Sequence, residues 1–263
     1  MTTNNTLQDK VVLITGGTKG IGLAIAQRVV AEGAFAIINY SHDRAAAEAA
    51  LASLPSTPPS SPSSSSSDRP RHLLIQADAS IPSQMRELVE KSVSHFGSLD
   101  VVVANAGTMP LQDLEHVTEE SFDAAFNLNM KGPMFLAQAA APHMRAGGRV
   151  VFVSTGIARN SGVLPGYGLY ASTKGAMEQL TRVLAKDLGR RGITVNAVAP
   201  GPTDTEFFRK GKSEAMIQGV ASASPFNRLG TPAEIAEVVA FIASPQSSWV
   251  SGQIIGANGA TFV

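Results

Sequence analysis

Lys10-Val11-Val12-Leu13-Ile14-Thr15-Gly16-Gly17-Thr18-Lys19-Gly20-Ile21-Gly22 decides the fold of this chain. A short, unbroken apolar run suits a strand buried on both faces, and here it passes through a glycine-rich turn into a helical pattern. Glycines let such a turn bend sharply and approach a pyrophosphate, whose charge is drawn to free amides and to the positive end of the helix. At the first strand-to-helix crossover, the turn reads as a phosphate-binding device rather than a plain reversal.

The same alternation continues to the end of the chain. Lys10–Thr15, Phe35–Asn39, Leu73–Gln76, Leu99–Ala104, Arg149–Ser154, Thr194–Ala199 and Gln253–Gly256 read as strands. Helical patterns fall at about Gly20–Glu32, Asp43–Leu54, Ser83–Phe96, Glu119–Arg145, Gly168–Arg191 and Pro232–Ala243. Repeated strand then helix predicts an α/β protein with a doubly wound, seven-stranded parallel sheet and helices on both faces, in a single Rossmann-like domain over residues 1–263. One stretch departs from the pattern. Pro55 to Pro70, PSTPPSSPSSSSSDRP, has almost no apolar side chain to offset its ordering entropy, so residues 55–71 read as a flexible surface insertion.

Composition narrows the function classes. Among 263 residues, 44% are hydrophobic and Lys plus Arg balance Asp plus Glu at 21 each, so no global basic field attracts nucleic acid or an anionic membrane. The absence of cysteine excludes disulfides, thiolate metal sites and a cysteine nucleophile. The histidines, His42, His72, His95, His116 and His143, lack metal-ligand spacing, so no metal site is expected. Met1 to Lys10 is polar and does not read as a secretory signal, and no run of about 18 apolar residues suggests a membrane span. The cytoplasm is the expected location.

Tyr170-Ala171-Ser172-Thr173-Lys174 opens a long helical pattern, and its i, i+4 spacing puts phenol and ammonium on one helix face. A free phenol titrates near pH ~10, and an adjacent positive charge lowers that value. The pair suits general acid or base work on an alcohol or a ketone.

The Gly-x-x-x-Gly-x-Gly turn, taken with Tyr-x-x-x-Lys, resembles the short-chain dehydrogenase/reductase family, and within it the 3-oxoacyl-carrier-protein and polyhydroxynaphthalene ketoreductases. Asn105-Ala106-Gly107 after the fourth strand, Asn129 in Leu128-Asn129-Met130-Lys131-Gly132, and Pro200-Gly201-Pro202-Thr203 after the sixth strand match in order. The resemblance runs from about Leu7 to Val263, interrupted by the Pro/Ser insertion.

That resemblance implies a dinucleotide cofactor held by Gly16, Thr18, Lys19, Gly20, Ile21 and Gly22 at its phosphates and by Asn39, Tyr40 and Ser41 at the ribose. Asp78 and Ala79 would flank the adenine, and Asn105, Ala106 and Gly107 would support the adenosine ribose side. Pro200, Gly201, Thr203 and Thr205 would meet the nicotinamide, with Thr203 on its carboxamide. The second strand ends Ile38-Asn39-Tyr40-Ser41-His42 with no carboxylate until Asp43, which leaves room for a 2′-phosphate met by Lys19, Ser41, His42 or Arg44. NADP(H) is therefore the expected cofactor, with Asp43 keeping NAD open.

By the same resemblance Tyr170 is the general acid, Lys174 lowers its pKa and bonds the nicotinamide ribose, and Asn129 holds a water in a proton relay. A hydroxyl on the substrate oxygen completes the set. Counting from Arg149 places it at Thr155, but the segment from Thr155 to Tyr170 is a residue or two longer than expected, which keeps Ser154 as the alternative. Phe207, Phe208, Met216 and Phe226 occupy the segment where relatives carry a mobile lid, and with Met109, Leu164 and Tyr167 they would wall an apolar pocket. Arg159, Arg209 and Lys210 read as solvated surface charge, with contact to an anionic substrate as the alternative. The expected substrate is a bulky apolar, aromatic or polyketide-like ketone, reduced to a secondary alcohol. The expected assembly is a homotetramer or homodimer through the helices holding Asn129 and Tyr170. Two other readings stay open: an NAD-dependent alcohol or sugar dehydrogenase, and a dinucleotide-binding scaffold in a non-redox role.

Overall fold

Each apolar run is hydrophobic at odd and even positions alike, so it is stable only where both faces are covered. In the computed structural model, which describes residues 6–55 and 70–262, this is how the runs are used. The strands are β1 (Val11–Ile14), β2 (Phe35–Tyr40), β3 (Leu73–Gln76), β4 (Leu99–Ala104), β5 (Met144–Val153), β6 (Thr194–Pro200) and β7 (Ile254–Ala257). They form one parallel sheet in the order β3-β2-β1-β4-β5-β6-β7.

The helices are α1 (Gly20–Ala31), α2 (Arg44–Ala52), α3 (Pro82–Phe96), α4 (Glu119–Phe126), α5 (Gly132–Ala140), α6 (Gly168–Gly189), α7 (Glu206–Arg209), α8 (Glu214–Ser222) and α9 (Pro232–Ala243). Val11 and Leu13 join Ile37, Val102, Phe152 and Val195 in a core closed by Met85 of α3, Leu136 of α5 and Met177 of α6. Val12 and Ile14 point to the other face, where Ile38, Val103, Val151 and Val198 pack on Ile25 and Val29 of α1 and Ile235 and Val239 of α9. The strand period of two thus feeds two cores from one run of residues.

The helical stretch expected over Glu119–Arg145 runs without a gap to His143, but not as one regular α-helix. α4 ends at Phe126, a wide π turn spans Asn127–Lys131, and α5 follows. Pro133 lacks the N–H that would return to the carbonyl of Asn129, so regular α-helical bonding cannot run through this point. Pro142 sits in a closing 3-10 turn, Ala141–His143, and β5 then begins at Met144, five residues before the expected Arg149. The stretch from Asp204 to Phe226, expected as a lid, contains α7 and α8, whose first turns are capped by Thr205 and Ser213. Apart from its ends, the insertion read over 55–71 lies outside the described residues.

Gly132 is where α5 crosses the loop after β3: a Cβ there would lie 1.8 Å from the carbonyl oxygen of Ala79. Gly132→Ala should therefore destabilise the protein by about 2–4 kcal/mol in urea unfolding, because backbone must move. Gly219→Ala, inside α8 with nothing within 4 Å of the added carbon, should instead be neutral or gain up to about 1 kcal/mol.

Candidate active site

The strand order reverses at β1, whose neighbours are β2 and β4, and the loops leaving β1 and β4 diverge to opposite faces. A crevice opens there, at the carboxyl ends of the strands. It holds a cavity of about 900 Å³, large enough for a dinucleotide and a second small molecule together.

Its floor is tied together by buried polar side chains. Thr15 Oγ1 accepts from the backbone N–H groups of Asn105 and Ala106, each at 3.1 Å, while Asn105 Nδ2 donates to the carbonyls of Thr15 and Gly16 at 3.0 Å. Asn39, 2% exposed, donates to the carbonyl of Ala77 at 2.9 Å and its own carbonyl accepts from Gly17 at 3.1 Å. Gly16 adopts φ +60°, and a Cβ on Gly22 would stand 2.2 Å from the Gly16 carbonyl oxygen, so the turn closes against α1 only with glycine at both positions. α1 starts without a side-chain cap and with no acid in its first turn, which leaves its leading amides to an anion in the cavity.

At the end of β2, Ser41 and His42 line the cavity. Asp43 is turned away to cap α2, accepting from the Ala46 N–H at 2.9 Å. Arg44 lies along α2 with Nε 2.8 Å from Glu48 and does not line the cavity. Lys19 faces Glu206 at 3.8 Å across the mouth, both side chains being largely exposed. Asp78 lines the cavity and accepts from the backbone and hydroxyl of Ser80 at 2.9 and 2.7 Å.

At the other end lie Tyr170 and Lys174, 8% and 3% exposed. Lys174 Nζ donates to the Val153 carbonyl at 2.7 Å and sits 6.0 Å from the centre of the Tyr170 ring. Burial pushes the Tyr170 phenol up to about 12, with a smaller opposing pull from the Thr155 hydroxyl. Burial also pushes Lys174 down to about 8. The expectation that Lys174 holds Tyr170 below its ordinary range is corrected here: burial raises the phenol, and the Lys174 ammonium gives its bond to the Val153 carbonyl instead.

The two candidate hydroxyls diverge. Thr155 faces Tyr170, whereas Ser154 Oγ donates to Glu178 at 3.1 Å, although both residues border the cavity. Asn129 is fully buried behind the wall. Its amide accepts from the Thr108 N–H and donates to the Thr108 carbonyl, both at 2.8 Å, and also donates to the Thr173 hydroxyl at 3.0 Å.

Every other residue expected at the cofactor or the reacting group borders this one cavity, from Gly16, Thr18, Lys19, Gly20, Ile21 and Gly22 to Pro200, Gly201, Thr203 and Thr205. Met109, Leu164, Tyr167, Phe207 and Phe208 border it too, whereas Met216 and Phe226 do not and are exposed. Arg159 and Arg209 are half-exposed but paired, with Glu178 at 2.7 Å and Asp204 at 2.6 Å. Sequence reading missed Leu128, Val220 and Phe262 in the wall. Phe262 is brought back by Asn258 Nδ2, which donates to its carbonyl at 2.7 Å, and its ring fills the space a Cβ on Gly156 would need. No local pattern signals such a long-range return.

Among the described residues no cluster of three or more acidic, histidine or cysteine side chains is placed to hold a metal, and no helix is long and apolar enough to cross a membrane. A family model described as enoyl-(acyl carrier protein) reductase matches residues 16–259. Versicolorin reductase 1 of Aspergillus parasiticus is 38% identical over 273 residues, covering 100% of both chains. A hydroxynaphthalene reductase of Aspergillus fumigatus is 38% identical, covering 94% of this chain and 90% of that one. The crystal structure of a short chain dehydrogenase from Burkholderia cenocepacia in complex with NADP superposes with a TM-score of 0.88 at 34% identity, covering 98% of this chain and 100% of that one.

The two buried groups give stability a defined pH dependence. Lys174 has a folded pKa of about 8 against an ordinary 10.5, so between those values the native state holds fewer protons and stability rises with pH. Tyr170, raised from 10.0 to about 12, lowers stability as pH climbs through that higher window. Lys174→Met should therefore exceed the parent in unfolding free energy near neutrality, and the gap should narrow between about pH 8 and about pH 10. Urea titrations at both ends of that window check it; a constant gap means that Lys174 does not titrate there.

Proposed function

The chain belongs to the short-chain dehydrogenase/reductase family, and from that premise we propose that it is an NADP(H)-dependent reductase of a bulky, largely apolar ketone, aromatic or polyketide-like. The observation that carries the reading is one cavity joining the uncapped start of α1 to a buried phenol at Tyr170 flanked by Thr155 and Lys174. The names of the versicolorin and hydroxynaphthalene reductases support the aromatic substrate class.

The residues present fit a dinucleotide. The leading amides of α1 take its pyrophosphate, Asp78 and Ala79 its adenine, and the loop from Pro200 to Thr205 its nicotinamide. With Asp43 committed to capping α2, no free carboxylate stands at the end of β2 to repel a 2′-phosphate, and Ser41, His42 and Lys19 meet it. The cofactor when bound supplies the hydride.

The protein supplies position and a proton. Tyr170, protonated throughout the neutral range, donates to the carbonyl oxygen as negative charge develops there. Thr155 donates a hydrogen bond to the same oxygen, and the Lys174 ammonium offsets the phenolate left on Tyr170. Asn129, expected to hold a water in a proton relay, instead spends its side-chain amide on Thr108 and Thr173 and so ties the loop after β4 to α6, and the water-holding role does not fall to that amide. Exposed Phe122, Met134 and Val183 on α4, α5 and α6 suit the packing of these helices against a second copy of the chain, in a homotetramer or homodimer.

The test is oxidation of NADPH, followed at its nicotinamide absorbance, over a panel of aryl and polyketide-like ketones such as β-tetralone. Binding of NADPH without turnover on any of them would sink the reductase reading in favour of a non-redox scaffold. Tyr170→Phe should lower kcat by about 10³ or more while NADPH affinity stays within about threefold. Thr155→Ala should lower kcat by at least about tenfold and Ser154→Ala by less; the reverse order would move the role to Ser154. Lys19→Ala should weaken NADPH by about tenfold with little effect on NADH, read by titrating nicotinamide fluorescence.

A further inference from the structure

Glu178 is a carboxylate buried to 4% exposure beside the site, and the chemistry above does not use it. It follows Tyr170 and Lys174 on one stripe of α6, four residues further on, and its two oxygens have different partners. One accepts from Ser154 Oγ at 3.1 Å, at the end of β5. The other accepts from Arg159 Nε at 2.7 Å, on the 3-10 turn Gly156–Arg159, with Arg182 Nη2 at 3.8 Å.

Residues 156–163 form the wall between the reacting groups and the mouth, through Ile157, Asn160 and Val163. Among the described residues, the other hydrogen bonds of this segment stay within it or go back to Thr155. The Arg159–Glu178 pair is thus its polar tie to the helix that carries Tyr170. A buried carboxylate is costly unless each lone pair finds a donor, so it draws strand end, wall and helix to one point.

On the reductase reading above, we propose that Glu178 is a positioning residue: it turns the Ser154 hydroxyl away from the reaction centre, leaving Thr155 to face Tyr170, and anchors the substrate wall through Arg159. Its effect falls on ketone binding more than on the chemical step, since the wall contacts substrate and not the transferred proton.

The experiment compares Glu178→Gln, Arg159→Ala, Arg159→Lys and the Glu178→Gln/Arg159→Ala double variant with the parent, using NADPH and β-tetralone. Glu178→Gln and Arg159→Ala should each raise KM about tenfold, with kcat within about threefold and NADPH affinity unchanged. The double variant should be no worse than the worse single one, because both changes break the same link, and Arg159→Lys should recover most of the loss. Effects that multiply in the double variant, a fall in kcat at constant KM, or lowered stability with KM unchanged would each overturn the proposal. Arg159 is half-exposed, so its variants carry the test should Glu178→Gln fail to fold. A parent inactive on every ketone refutes the reductase reading instead. The anchor is then read by amide hydrogen exchange, which should quicken over 156–163 and not over α6 in Arg159→Ala; unchanged exchange refutes it.

Discussion

Thr15 and Asn105 lock together the two loops at which the sheet changes direction, and the geometry of the crevice depends on that lock. A parallel sheet that reverses its winding leaves the ends of β1 and β4 free to splay, since their helices depart to opposite faces. One threonine hydroxyl accepting two backbone N–H groups, and one asparagine amide returning two bonds to the opposite loop, hold the gap to a fixed width. Asn39 does the same between β1, β2 and the loop after β3. Asn39 and Asn105 border the cavity with Thr15 behind them, yet much of their bonding capacity is already committed to backbone, so a ligand meets a floor that is tied together before it arrives.

The fold was legible because burial on both faces leaves a strong trace: Val101, Val102 and Val103 in a row can serve only a strand covered twice. The phosphate end was legible for a related reason, since Gly16 and Gly22 mark backbone contacts that no other residue tolerates. Legibility failed where structure rests on something that periodicity does not register. The apolar pattern of 119–145 runs smoothly through the π turn at Asn127–Lys131, because periodicity registers which face is apolar and not which N–H Pro133 lacks. Phe262 enters the wall only because Gly156 leaves it room.

The Tyr170–Lys174 pair shows how spacing can identify partners and still misstate their electrostatics. Four residues of helix put the two groups on one face, and an ammonium near a phenol in water would favour phenolate. Burial changes the balance, because removing water penalises both charged forms at once: phenolate on one side, ammonium on the other. The result is a phenol above and an amine below their ordinary ranges, a neutral acid beside a cation that still holds its proton at neutrality. On the proposed reading a reduction asks for that starting state, since the donor must be protonated before the carbonyl oxygen gains charge and the cation is needed only after the proton has left.

The same stripe of α6 explains why two adjacent hydroxyls part company. Ser154 and Thr155 occupy consecutive positions at the end of β5, and successive strand side chains point to opposite sides. Only one of them can face the phenol. Glu178, two helical turns beyond Tyr170, takes the Ser154 hydroxyl, so the buried carboxylate determines which hydroxyl is left over. A chain with an apolar residue at position 178 would leave Ser154 unpartnered among buried groups, and a hydroxyl in that position seeks the nearest acceptor. On the proposed reading, the division of labour at the strand end is therefore set from the helix, eight residues past Tyr170.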